Sequence, residues 1–155
     1  MIPEPVARYL SEHHLAYEHS VHRRAVAAQR LAAAEHVAGA TVAKPVVVAV
    51  DGTLVIAVVS AADKVNVEVL RRVAGARTAV LASETEFAER FAPCEAGAEP
   101  PLGLFGLPIY VDASLVQRPW IVMRGGTHED SLRVDTVAWM RSERVTPVEG
   151  LALQA

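Results

Sequence analysis

Asp51-Gly52 stands between two β-branched runs, Val46-Val47-Val48-Ala49-Val50 before it and Thr53-Leu54-Val55-Ile56-Ala57-Val58-Val59 after it. The central residues of a type I′ turn both need positive φ, which Asp and Gly reach at little steric cost, and the twist of that turn matches the twist of paired strands. The pattern predicts a long β-hairpin, around whose apolar surface the rest of the chain must pack. Lys44 lies at the entrance of the first run. An ammonium drawn into such a surface loses hydration, so it either snorkels to water or meets an anion.

The elements around the hairpin follow from periodicity and capping. A first helix is expected from Pro3 to about His14, with Val6, Tyr9, Leu10 and His13 on one stripe, followed by an extended segment from Tyr17 to Val21. An alanine-rich helix runs from about Ala25 to Glu35, with Gly39 as its left-handed closing residue. Asn66 caps a helix over residues 67–73 that Gly75 closes. A strand over residues 78–82 leads into Ser83-Glu84-Thr85-Glu86, a capping box opening a helix toward Phe91. Residues 92–106 hold too many prolines and glycines for helix or strand and form a loop. Strands follow at 107–111, 120–123 and 131–134, with Gly125-Gly126 as a turn. Asp135 caps a last helix through Arg141, and a loosely held tail begins at about residue 145.

Irregular mixing of helices with hairpin-type connections favours an α+β fold over a doubly wound parallel sheet. At 155 residues the chain suits one domain, residues 1–155, with a core that needs no disulfide or structural metal. No apolar stretch reaches the roughly eighteen residues of a membrane span. The start, Met1-Ile2-Pro3-Glu4-Pro5, lacks the basic and apolar regions of a secretory signal, and Cys94 is alone, so a cytoplasmic location is expected. A net charge of −3 argues against a surface built for polyanions, so any nucleic-acid contact must be local.

Two segments stand out as sites. Gly97-Ala98-Glu99-Pro100-Pro101-Leu102-Gly103 is a loop stiffened by two prolines whose glycines leave backbone N–H groups uncovered, as a cradle for an oxyanion or a carbonyl requires; a rigid surface connection is the alternative. Arg124-Gly125-Gly126-Thr127-His128 puts a glycine turn before a histidine that can act as base or ligand contact, or simply bond a neighbour such as Asp130. His13, His14, His19, His22 and His36 lack the cysteines or carboxylates in fixed spacing of a zinc site, and no metal or cofactor is expected. Cys94 has no cysteine-hydrolase spacing, and no Walker loop, dinucleotide fingerprint or nucleophile elbow occurs.

Taken in order, Val42-Ala43-Lys44 before the hairpin, the Gly97–Gly103 loop, Leu107-Pro108-Ile109-Tyr110-Val111-Asp112 and Gly125-Gly126-Thr127-His128 resemble the YbaK/prolyl-tRNA synthetase-associated domain family over nearly the whole chain. The resemblance implies a mixed, mostly antiparallel, barrel-like sheet flanked by helices, and hydrolysis of wrongly charged aminoacyl-tRNA. It carries over Lys44, the Gly-x-x-x-Pro loop from Gly97 to Pro101, Gly103, and the turn Gly125, Gly126, Thr127 and His128. The segment from His22 to Gln29 resembles the family's N-terminal histidine and pocket wall. Two departures stand out: Pro45 replaces a polar residue common after the family lysine, and Ala27 and Ala28 lack a hydroxyl often found there.

An aminoacyl ester is already activated. Its hydrolysis needs a positioned water, somewhere for a proton to go, and donors for the oxyanion. The expected machinery is backbone amides around Gly97 and Gly126 for the carbonyl, Lys44 for a phosphate or ribose, a ribose hydroxyl for the proton, and His128 as a positioning group ahead of a general base. The partner implied is the acceptor end of a mischarged tRNA carrying a small amino acid, delivered alone or by a synthetase or elongation factor, with no membrane. Two other readings fit the residues: a non-catalytic module recognising an aminoacyl end, nucleotide or synthetase, and a small-molecule ester hydrolase, which the missing triad disfavours.

Overall fold

The computed structural model describes residues 1–153. The chain opens with α1 (Glu4–Glu12), whose Val6 and Leu10 are buried, and β1 (Tyr17–Val21). The next helix, α2 (Ala28–Ala34), starts three residues later than the sequence suggests. The reason is tertiary: the N–H groups of His22 and Ala25 donate to Glu129 O and His128 O, so this stretch is docked against the distant glycine turn. Positive φ beyond α2 falls on His36 at 55°, whereas Gly39 opens a short 3-10 turn.

The hairpin forms as the turn chemistry requires. Strand β2 (Ala43–Val50) pairs antiparallel with β3 (Thr53–Ser60), with Asp51 at φ 48° and Gly52 at φ 79°. Asp51 also accepts the N–H groups of Arg77 and Thr78, tying the turn to a third strand. After β4 (Lys64–Val65) comes α3 (Val67–Val73), capped by Asn66, which accepts from Val69 N. Then β5 (Ala79–Leu81) pairs with residues Val48–Val50 of β2. Both halves of the Ser83–Glu86 capping box are made at α4 (Glu84–Phe87), which continues as a 3-10 turn to Phe91.

Strand β6 (Ile109–Asp112) lies parallel to β3, while β7 (Trp120–Arg124) and β8 (Asp130–Asp135) form a hairpin that β1 extends. The last helix, α5 (Thr136–Ser142), is capped by Asp135 through Ala138 N. With β9 (Thr146–Val148) and β10 (Ala152–Leu153) following α5, the fold is α+β with mixed, mostly antiparallel sheets: β5-β2-β3-β6-β9, β1-β8-β7 and β10-β4. A bridge between Val42 and Val122 joins the two larger sheets.

The expected loose tail is not loose where it is described. Strand β9 (Thr146–Val148) runs parallel to β6, and β10 (Ala152–Leu153) pairs with β4. Val148 and Leu151 are buried, and burying each such side chain contributes roughly 1.5–3 kcal/mol, enough to hold a short segment in place. Gln154 and Ala155, also part of that expectation, lie outside the described residues. No helix among the described residues is long and apolar enough to cross a membrane.

Candidate functional site

Lys44 lies within β2 opposite Val59, one residue further into the sheet than an entrance position. Its ammonium donates to Ala61 O at 3.2 Å and to Asp63 O. An ammonium has three hydrogens, so one donor is left for a ligand. Burial pushes the Lys44 pKa down, opposed by Asp63 and reinforced by Lys64. Pro45 fits because β5 covers only Val48–Val50, leaving the outer edge of β2 open where proline cannot donate.

A cleft of about 210 Å³ opens at this edge. Lys44, Pro45 and Ala43 line one wall, Val26, Ala28 and Leu31 another, and Gly97 and Arg124 complete it. Arg124 ends β7, is 3% exposed, and donates to Ala25 O and, at 2.6 Å, to Val26 O. Those bonds hold the Val26–Ala28 wall. Burial lowers the Arg124 pKa to about 10 against the opposing charges of Glu99 and Glu95, so the guanidinium stays charged at neutral pH.

Gly97 is the third residue of a turn closed by Ala98 N donating to Glu95 O, and its φ of 81° is the value a type II turn demands there. His128 supports this turn from inside. It is 4% exposed, its Nε2 donates to Ala96 O at 2.9 Å because a carbonyl only accepts, and its Nδ1 is buried without a partner. A Cβ on Gly97 would sit 3.7 Å from His128 Cε1, so ring and turn are in contact. His128 does not line the cleft; it packs behind the Gly97 turn.

The glycine turn differs from expectation. Gly125 N donates to Asp130 O and Gly126 N to Ala98 O, so neither amide is available for an oxyanion. Gly126 has φ 98°, and a Cβ there would meet Pro3 at 2.6 Å, which makes it a close-packing glycine. Thr127 Oγ1 donates to Asp130 and accepts from the N–H groups of Glu129 and Asp130, closing the same turn. Pro101 and Gly103 face elsewhere. Pro101 O accepts from the indole of buried Trp139, and Gly103 N donates to Glu143, which Tyr9 also reaches. His22 bonds Ser131 and Arg23 O, away from the cleft. The structure thus gathers Lys44 and Gly97, keeps His128 behind them, and uses the rest as scaffold.

Two residues at the site were not singled out from sequence: Arg124, and Glu99 within the proline loop. A charged residue ending an apolar strand, and a carboxylate between glycine and two prolines, are the signals available. Glu99 is 2% exposed, and its Oε2 has no hydrogen-bond partner. Burial raises its pKa to about 7. The N–H groups of Glu99 itself and Gly97 favour the charged form without completing a hydrogen bond, Glu84 opposes ionisation and Arg124 promotes it. It lines a second cleft of about 250 Å³ with Val46, Val47, Leu81 and Phe87, which meets the first at Pro45 and Gly97. Cys94 lies outside both clefts, and burial, helped by the Glu99 charge, pushes its thiol up to about 11, which disqualifies it as a nucleophile. Among the described residues no three His, Cys, Asp or Glu side chains gather as metal ligands.

A family model described as an aminoacyl-tRNA editing domain matches residues 22–142, a span that includes both clefts' lining residues. No curated protein matches the chain. Among solved structures, the hypothetical protein APE2540 superposes with a TM-score of 0.86 at 18% identity, covering 97% of this chain and all of that one. A candidate trans-editing enzyme for prolyl-tRNA synthetase gives 0.81 at 18% identity, covering 96% and 98%. A signal-transduction candidate from Marinobacter aquaeolei VT8 gives 0.74 at 16% identity, matching 99% of this chain to 31% of its own. At these identities the likenesses carry the fold alone.

Proposed function

Because the chain belongs to the aminoacyl-tRNA editing domain family, we propose that it hydrolyses the ester of mischarged tRNA carrying a small amino acid, acting in trans. The observation that carries this reading is the pairing of two cations, Lys44 and Arg124, with the open Gly97 turn around a cleft of about 210 Å³. That space suits a ribose and a small acyl group and is far too small for a nucleic-acid helix. The likeness to a candidate trans-editing enzyme for prolyl-tRNA synthetase supplies a fold on which this chemistry can be built.

In this reading Lys44 uses its spare hydrogen, and Arg124 its charge, to hold the terminal phosphate or ribose. The carbonyl lies against the Gly97 turn. Water attacks the carbonyl carbon, the bond to the ribose oxygen breaks, the ribose oxygen takes one of the water's protons, and the other passes to solvent as the amino acid leaves as carboxylate. A neighbouring ribose hydroxyl relays the first of these protons, so no protein nucleophile is needed. A few phosphates need only a few local cations, which reconciles the activity with a net charge of −3. The partner is the acceptor end, presented free or by a synthetase or elongation factor, and the location is cytoplasmic.

The two Lys44 bonds to Ala61 O and Asp63 O favour a second reading, a binding module in which Lys44 stiffens the strand end. Deacylation of a panel of correctly and incorrectly charged tRNAs by wild type and Lys44→Ala separates the two. Selective release lost in a folded Lys44→Ala protein is expected. Retained binding with no release from any member would overturn hydrolysis in favour of the module.

A further inference from the structure

We infer that Glu99 receives the α-ammonium group of the bound aminoacyl ester and selects free aminoacyl groups over acyl groups that lack an amine; this rests on the deacylase reading. The two clefts adjoin at Pro45 and Gly97, which places the cations on one side of that pair and a carboxylate on the other. An aminoacyl-adenosine end has the matching order. Its phosphate carries negative charge, the ester carbonyl comes next, and one carbon further stands an ammonium.

Glu99 is built for a partner that the protein does not supply. It is 2% exposed, its Oε2 is unpaired, and no ion pair reaches it among the described residues. The side chains of Val46, Val47, Leu81 and Phe87 lining the cleft beside it offer no donor, the N–H groups of Gly97 and Glu99 offset only part of the cost of burial, and Glu84 repels rather than satisfies. A buried carboxyl left this way is unfavourable in the free protein. An arriving ammonium removes that penalty, whereas an α-hydroxyl or an acetylated amine brings no charge to offset it. The apolar lining beside Glu99 then receives the side chain on the same α-carbon.

The test compares alanyl-, seryl- and cysteinyl-tRNA with their α-hydroxy counterparts, each enzymatic rate divided by the uncatalysed rate of the same ester. Wild type should favour the amine member by about tenfold or more in kcat/KM, the scale of one charge-assisted hydrogen bond. Glu99→Gln should shrink that ratio to about twofold. Equal rates on both members in wild type would overturn the inference without any variant, and a ratio preserved in Glu99→Gln would do the same. Either result leaves the deacylase reading standing, whereas no release of any ester by wild type removes that reading and this inference together.

Discussion

Lys44 and Glu99 stand on either side of the Pro45–Gly97 junction, both drawn out of water, and the protein treats them differently. Lys44 sits on a sheet edge where two backbone carbonyls take two of its hydrogens. Glu99 sits in a proline-stiffened loop with one oxygen unpaired. The strand end can satisfy its cation because sheet termini leave carbonyls unused, whereas the loop's rigidity removes the freedom to fold a donor over the acid. One side of the junction is preorganised and complete, and the other is preorganised and waiting for a ligand. In the proposed reading, Lys44 anchors the nucleotide end and Glu99 selects the acyl end.

Replacing the compensated cation should have the largest effect. Lys44→Ala should lower single-turnover release by about 10²–10³-fold, the usual loss for one preorganised electrostatic contact, with circular dichroism unchanged. Arg124→Met should cost about 2–3 kcal/mol in urea denaturation, since Ala25 O and Val26 O lose their donors and the Val26–Ala28 wall is released.

Glu99→Gln should go the other way in stability. The folded pKa of about 7 lies above the ordinary 4.5, so the folded state holds an extra proton between those values. The Glu99 contribution is fully present below about pH 4.5 and is lost as pH rises through 7, with burial and then Glu84 on the raising side and the Gly97 and Glu99 N–H groups and Arg124 opposing. The glutamine variant should therefore be more stable than wild type by on the order of 2 kcal/mol at pH 8, with no gain at pH 4.5, in parallel thermal melts. Loss of stability at pH 8 would show that Glu99 is satisfied after all.

Smaller changes sharpen the comparison at its junction. Gly97→Ala adds a Cβ that clears His128 by 3.7 Å but must adopt φ 81°, so about 1 kcal/mol of destabilisation is expected by calorimetry. Arg24→Ala breaks an exposed pair with Glu95, which solvent screens, and should leave the thermal midpoint unchanged.

Much of the frame was legible because it is local. The Asp51-Gly52 turn, the Asn66 cap and the Ser83–Glu86 box are decided within a few residues, and each formed where the sequence puts it. The shortened α2 and the strands β9 and β10 were not, since they depend on partners more than a hundred residues away for the first and on β4 and β6 for the others. The site divides the same way. Lys44 and Gly97 were visible by type and spacing, but their neighbours Arg124 and Glu99 gain importance only through burial, which no local pattern reports. Gly126, Pro101 and Gly103 are constrained by packing and hydrogen bonds, and sequence alone does not separate that constraint from contact with a ligand.

The most direct test of this division is to measure binding and single-turnover release side by side on one mischarged small-residue tRNA, for wild type and Lys44→Ala. Release by wild type should collapse in Lys44→Ala while the protein stays folded. Equal release by the two proteins would contradict that division.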